Sequence, residues 1–171
     1  MLNLYLLRHS NAAENPPPGE SGDAARRLTP EGIEKARHIG RAFHRLGLAF
    51  DLVLSSPAAR ARHTAELVAK ELQTFPKVEL LEDLWIDGEP KAIVDRLRRG
   101  SRPPREALLV GHEPDLSLFA SVLLAGSPGL DLIFKKGGVA KLSIDSLKFG
   151  RCAALEWWLT PRHLRAIAGI D

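Results

Sequence analysis

The sequence predicts an α/β fold: a three-layer α/β/α sandwich on a mostly parallel central sheet, with an antiparallel strand pair late in the chain. Three observations predict it. Residues 2–7 and 107–110 are apolar almost throughout, the pattern of strands buried on both faces. The stretches between such runs carry apolar residues at helical spacing, so the elements alternate β-α-β-α-β-α-β-α-β-β-α. No internal repeat or linker breaks the 171 residues, so 1–171 is expected to form a single domain.

In chain order, the first strand ends on Arg8-His9. Residues 10–28 then form a polar loop rich in Pro and Gly, expected to border the strand end it leaves. Thr29-Pro30-Glu31 opens a helix, with Thr29 as N-cap and Pro30 at the first helical position. Ile33, Ala36, Ile39, Phe43 and Leu46 give it one apolar face, and Gly47 ends it. Residues 51–55 form the second strand, and Ser56-Pro57 turns directly into a helix carrying Arg60 in its first turn. A short strand at 78–81 is followed by Glu82, Asp83, Asp87 and Glu89, and Pro90 opens a helix through Arg99. The strand at 107–111 ends on His112, and a helix covers 115–124. Residues 139–144 and 153–159 form the antiparallel pair, with one of Trp157 and Trp158 expected in the core and the other half exposed or under the final helix. A last helix starts at Pro161.

Composition excludes several classes. At 44% hydrophobic and 26% charged the chain reads as a soluble globular protein. No apolar run approaches the roughly 20 residues of a membrane span, and no signal peptide is apparent, so a cytoplasmic location without membrane association is expected. The single cysteine, Cys152, forms no internal disulfide and sits in an apolar run as a small core residue. Net charge is only +3. The cluster Arg96, Arg98, Arg99, Arg102 and Arg105 has no interleaved aromatics. A helix end and a solvated loop account for it, and no nucleic-acid partner is expected.

The chemistry lies at the strand ends, where ligands bind in open α/β sheets. Arg8-His9 ends one strand, Ser56-Pro57-Ala58-Ala59-Arg60 follows a second, and Gly111-His112 ends a third. Two arginines and two histidines on one sheet edge suit a tetrahedral oxyanion, because guanidinium forks match phosphate oxygens. Ser10 and Asn11 follow His9 directly and are candidate phosphate or substrate contacts. His38, His44 and His163 read as surface residues, and His63 as packing beside the site.

Leu7-Arg8-His9, the stretch from Ser56 to Ala65, and Gly111-His112 resemble the signatures of the histidine phosphatase (phosphoglycerate-mutase-like) superfamily. Arg27-Leu28-Thr29-Pro30-Glu31-Gly32 resembles the opening of that family's first long helix. Residues 110–116 and Lys135-Lys136-Gly137-Gly138 are similar to its short SixA-type phosphohistidine phosphatase branch. The resemblance spans almost the whole chain. It departs at Ser10, where the best-known motif has glycine.

The resemblance implies His9 as a nucleophile that forms a covalent phosphohistidine, with Arg8, Arg60 and His112 holding the phosphoryl oxygens. No metal and no cofactor are implied. A carboxyl after the third strand is the implied general acid. Glu82 is preferred there, with Asp83 its alternative and a substrate contact. The segment 82–105 is too short for a cap domain, so a phosphorylated protein carrying phosphohistidine is the preferred substrate. A small phosphate monoester is the rival within the class. A catalytically silent phosphoanion-binding module is the rival outside it.

Overall fold

Strand β1 (Leu2–Arg8) lies inside a six-stranded sheet in the computed structural model, which describes residues 1–72, 74–99 and 102–170. The other strands are β2 (Leu52–Ser55), β3 (Val78–Leu80), β4 (Glu106–Gly111), β5 (Val139–Ile144) and β6 (Ala153–Leu159). The sheet order is β3-β2-β4-β1-β5-β6. Pairs β2–β3, β2–β4 and β1–β4 are parallel, and β1–β5 and β5–β6 are antiparallel. The mostly parallel sheet with a late antiparallel pair is therefore as the sequence predicts.

The helices are α1 (Pro30–Arg45), α2 (Ala59–Lys70), α3 (Pro90–Arg98), α4 (Asp115–Ala125) and α5 (Pro161–Ile167). Alternation along β1 sorts them into two layers. Leu4 and Leu6 face Ile93, Val94 and Leu97 of α3 and Leu116, Phe119 and Leu123 of α4. Tyr5 and Leu7 face Ile39 and Phe43 of α1, Ala61, Ala65 and Val68 of α2, and Leu164 of α5. All four of these β1 side chains are buried. Burial on that scale contributes about 1.5–3 kcal/mol for each large apolar side chain, which fixes the strand between the layers.

Local signals behave as the sequence reads. The Thr29 side chain accepts a hydrogen bond from Gly32 N, and Pro30 occupies the first helical position. Gly126 ends α4 in the left-handed conformation. Two expectations need correction. Residues 10–28 are not an open loop throughout: Ala12 bridges Leu28, and Asp23–Ala25 forms a 3-10 turn. Trp157 and Trp158 do not divide into core and surface. Both are half-buried, on opposite faces, Trp157 against Tyr5 and Trp158 against Phe134.

The topology creates the crevice. From β1 the chain passes over one face through α1 to β2, and from β4 it passes over the other face through α4 to β5. Connections thus diverge between the adjacent strands β1 and β4, and a crevice opens at their carboxyl ends.

Candidate active site

Register brings the two histidines together. Arg8 is paired with Gly111 across β1 and β4, and His9 N donates to Gly111 O at 3.1 Å. The next residue of each strand is a histidine, and their rings lie 5.0 Å apart, centroid to centroid. Both are buried, His9 at 5% and His112 at 2% exposure.

The His9 ring is oriented by its own chain. Its Nδ1 lies 2.7 Å from the Ser10 carbonyl oxygen, which only accepts, so Nδ1 carries the proton. The lone pair is then on Nε2, 3.3 Å from the Arg60 Nε–H. Burial foremost, with help from the Arg60, Arg8 and Lys136 charges and against the Ser10 carbonyl, takes the His9 pKa from 6.5 to about 3. The imidazole is neutral at physiological pH, the form required of a nucleophile. The His112 pKa also falls to about 3, through burial first and then the neighbouring His9 and Arg60. His112 Nε2 lies 2.9 Å from Ser56 Oγ, and its Nδ1 is buried without a partner.

Arg60 is buried in the first turn of α2. Its guanidinium lies 5.2 Å from the Trp85 ring centroid, a cation–π contact, and the edge of Trp85 meets His112 at 4.9 Å. Arg8 donates through Nη1 to the Phe134 carbonyl at 2.7 Å, while its Nε is buried with no partner. The segment 134–138 is fixed against β1, because Gly137 N donates to the carbonyls of Arg8 and His9, each at 3.1 Å. Gly137 does so at φ +81°, a conformation suited to glycine. This fixing places Lys136 close enough to act on His9.

Thr64 ties the two halves of the site. Its Oγ1 accepts from Ser10 N at 3.1 Å and donates to the Arg60 carbonyl at 2.7 Å. Ser10 is fully buried, and its Oγ has no partner.

Of the sequence-derived candidates, His9, Arg8, Arg60, His112 and Ser10 therefore lie in one cluster. Asn11 is turned away: its side chain donates to Glu31 at 3.1 Å and accepts from Lys35 at 2.9 Å. Glycine at position 32 lets the Asn11 backbone lie against α1, since a Cβ there would stand 2.0 Å from the Asn11 carbonyl oxygen. Glu82 is exposed and Asp83 half-buried on the 3-10 turn after β3, and neither forms a side-chain hydrogen bond or ion pair with the cluster. His63 is half-buried on α2. Four participants are not evident from sequence: Asp23, Ser56, Thr64 and Trp85. Asp23 reaches in from the 10–28 loop and pairs with Arg60, Oδ2 to Nη2 at 2.6 Å. For Ser56 and Thr64 the available signals are their place in the Ser56–Ala65 stretch, the i, i+4 spacing of Arg60 and Thr64 and the position of Ser56 before a helix.

A cavity of about 920 Å³ lies at the opposite end of the sheet among Met1, Asp51, Arg98, Arg102 and Arg105. It holds none of the neutral imidazoles or orphaned donors of the cluster, and chemistry locates the site better than volume does. Among the described residues no group of His, Cys, Asp and Glu is arranged to hold a metal ion, and no helix is long and apolar enough to cross a membrane.

Residues 4–85 match the family model of the histidine phosphatase superfamily (branch 1). An uncharacterized protein of Picosynechococcus sp. is 37% identical over 143 residues, covering 82% of this chain and 84% of the relative. The adenosylcobalamin/alpha-ribazole phosphatase of Escherichia coli is 42% identical over 72 residues, but these cover 42% of this chain and only 34% of that protein. The protein histidine phosphatase SixA, solved with tungstate, superimposes with a TM-score of 0.78 at 21% identity, covering 95% of this chain and 99% of that one. The alpha-ribazole phosphatase of Shigella flexneri does so at 0.61 and 22%, covering 88% and 96%. These structural likenesses are ones of fold.

Proposed function

The chain belongs to the histidine phosphatase superfamily, with the fold of its short SixA-type members, and from that premise we propose that it is a phosphatase working through a covalent phosphohistidine on His9. Family membership supports a hydrolase acting on phosphate. The observation that carries the mechanism is the His9 tautomer: Nδ1–H is bound to the Ser10 carbonyl, so the lone pair is on Nε2, where it faces the Arg60 guanidinium.

His9 Nε2 attacks phosphorus in line, the bond from phosphorus to the leaving group breaks, and the leaving group departs with its electron pair. Arg8, Arg60 and His112 hold the three equatorial oxygens, where the transition state concentrates its charge. The orphaned Arg8 Nε and His112 Nδ1 are donors that such oxygens would satisfy. Water then attacks phosphorus, the N–P bond breaks, and neutral His9 and inorganic phosphate are released. The guanidinium charges supply what a metal supplies elsewhere, so turnover is expected to survive chelation. An alkoxide leaving group takes its proton from Glu82, or from Asp83 beside it. An imidazole leaving group needs less help, which suits a site where neither carboxylate is bound to the cluster.

Phosphohistidine on a protein is the preferred substrate. Among the described residues of 82–105, a 3-10 turn and α3, which packs against the sheet, account for the regular structure, which supports an uncapped crevice. The test is to expose the chain to a phosphodonor, quench, and look for acid-labile phosphate. Then release of phosphate from a phosphohistidine protein is compared with release from sugar and nucleotide monophosphates. The wild type should label and His9→Ala should not. Equal labelling of His9→Ala refutes the mechanism, and a clear preference for small esters refutes the substrate. The pair Glu82→Gln and Asp83→Asn, assayed on an ester, assigns the acid.

A further inference from the structure

Arg60 is the most enclosed cation of the site, its side chain only 5% exposed. A buried guanidinium beside a second arginine requires a counter-charge. The counter-charge here is Asp23. Its Oδ2 accepts from Arg60 Nη2 at 2.6 Å, and its backbone carbonyl accepts from Nη1 at 2.7 Å. Both terminal nitrogens of the fork that would grip a phosphoryl group are thus already engaged.

The turn that brings Asp23 in is held by its tip and not by packing. None of residues Asp23–Ala25 is buried, and the Asp23 side chain is 42% exposed. Its second oxygen binds Arg26 Nη1 at 2.6 Å, and Arg26 Nε binds the Ala13 carbonyl at 2.7 Å. The base of the loop is fixed by the Ala12–Leu28 bridge and by Thr29 N on the Asn11 carbonyl. Between base and tip lie Gly19 and Gly22, both at φ +85° with open space where a Cβ would be. Partial burial acts to raise the Asp23 pKa, but the hydrogen bonds from Arg26 and Arg60 outweigh it and the pKa is lowered. Asp23 is held as a carboxylate, which unfits it as a proton donor to a leaving group.

We propose that Asp23 is a specificity-determining residue: a tethered carboxylate that occupies the Arg60 fork and yields it only to a dianionic phosphoryl group. This rests on reading the cluster as a phosphate site. A monoanion, whether a carboxylate or a phosphodiester, offers Arg60 no more charge than Asp23 does and lacks the tether, which keeps Asp23 at an effective concentration on the order of millimolar or more. A dianion brings a second charge and further oxygens. Arg8 Nε and His112 Nδ1, the buried donors without partners, are there to take them. Exchange therefore favours monoesters and phosphoramidates over diesters and carboxylates, and the 10–28 loop opens when phosphate enters.

The test is calorimetric titration of wild type and Asp23→Asn with inorganic phosphate, and with monoanionic dimethyl phosphate and formate, circular dichroism confirming that both fold. Asp23→Asn should bind phosphate about tenfold more tightly, because the competent fork is no longer a minority state, and the monoanions should gain a comparable factor that brings their binding into measurable range. Phosphate binding that is unchanged or weaker in Asp23→Asn overturns the proposal, as does continued exclusion of both monoanions. Limited trypsin digestion supplies an independent readout on the wild type. Saturating phosphate should speed cleavage after Arg26 and Arg27, and protection there overturns the opening. Neither readout requires turnover. Labelled His9 with unchanged phosphate affinity in Asp23→Asn defeats only this proposal, whereas unlabelled His9 defeats the phosphatase reading.

Discussion

The two imidazoles at the centre of the site make the fold sensitive to acid, by an amount that can be worked out. His9 and His112 are each shifted from 6.5 to about 3. In the unfolded chain both bind a proton as pH falls below 6.5, while in the folded chain both stay neutral until near pH 3. The unfolded state therefore binds more protons across that window, and stability is lost as pH falls through it. Lowering the pH from about 7.5 to about 5 stabilises the unfolded state by about 2 kcal/mol per imidazole, about 4 kcal/mol for the pair. The perturbation is the double substitution His9→Asn with His112→Asn. Urea unfolding at both pH values gives the loss for wild type and for variant, and subtraction removes the titration common to both, including that of His38. The wild type should lose about 4 kcal/mol more than the variant between the two pH values. A difference under about 1 kcal/mol, or imidazole nitrogen resonances of His9 and His112 that titrate near 6.5, would refute the assignment of both rings as neutral by burial.

Two further substitutions test the supports of the cluster. Thr64→Val keeps shape but strands the Ser10 N–H in the core, so unfolding should cost about 1–3 kcal/mol less, read as a lower urea midpoint at unchanged slope; a change within about 0.5 kcal/mol would remove Thr64 from the account. Ser56→Ala deprives His112 of its hydrogen bond and should lower kcat by about tenfold or less with little change in KM, measured on a phosphoramidate; an effect confined to KM would place Ser56 in binding alone.

The sheet and the strand-end residues were legible because they rest on signals local in sequence. Apolar runs of strand length mark β1 and β4, Thr29-Pro30 marks the start of α1, and Gly126 marks the end of α4. His9 and His112 follow those strands directly, so placing the strands placed them. Asp23 was not legible, because it lies in a segment with neither period nor repeat and its partner Arg60 is fixed only by tertiary structure. Thr64 looks like any small residue on a packed helix face until Ser10 N arrives to bind it. The Phe134 carbonyl that holds Arg8 belongs to the backbone and leaves no mark in side-chain identity. For Asn11, adjacency to His9 says nothing of direction, and its side chain bonds Glu31 and Lys35 of α1 instead. The tryptophans misled for a related reason: alternation assigns them to two faces, but both faces are covered by packed side chains.

The position of β1 in the sheet bears on the order of events during synthesis. Its two hydrogen-bonded neighbours are β4 and β5, and neither begins before residue 106. β1 is made well before either neighbour and is thus among the last strands of the sheet to be clamped. Until then the apolar run 2–7 is exposed, and closing so long a loop is slow. During that interval the His9 imidazole is an ordinary solvated base, since the burial and the arginine charges that tune it come from elements not yet assembled. Reactivity and native topology therefore appear together: a nascent or half-folded chain exposes a sticky strand, but it holds no primed nucleophile.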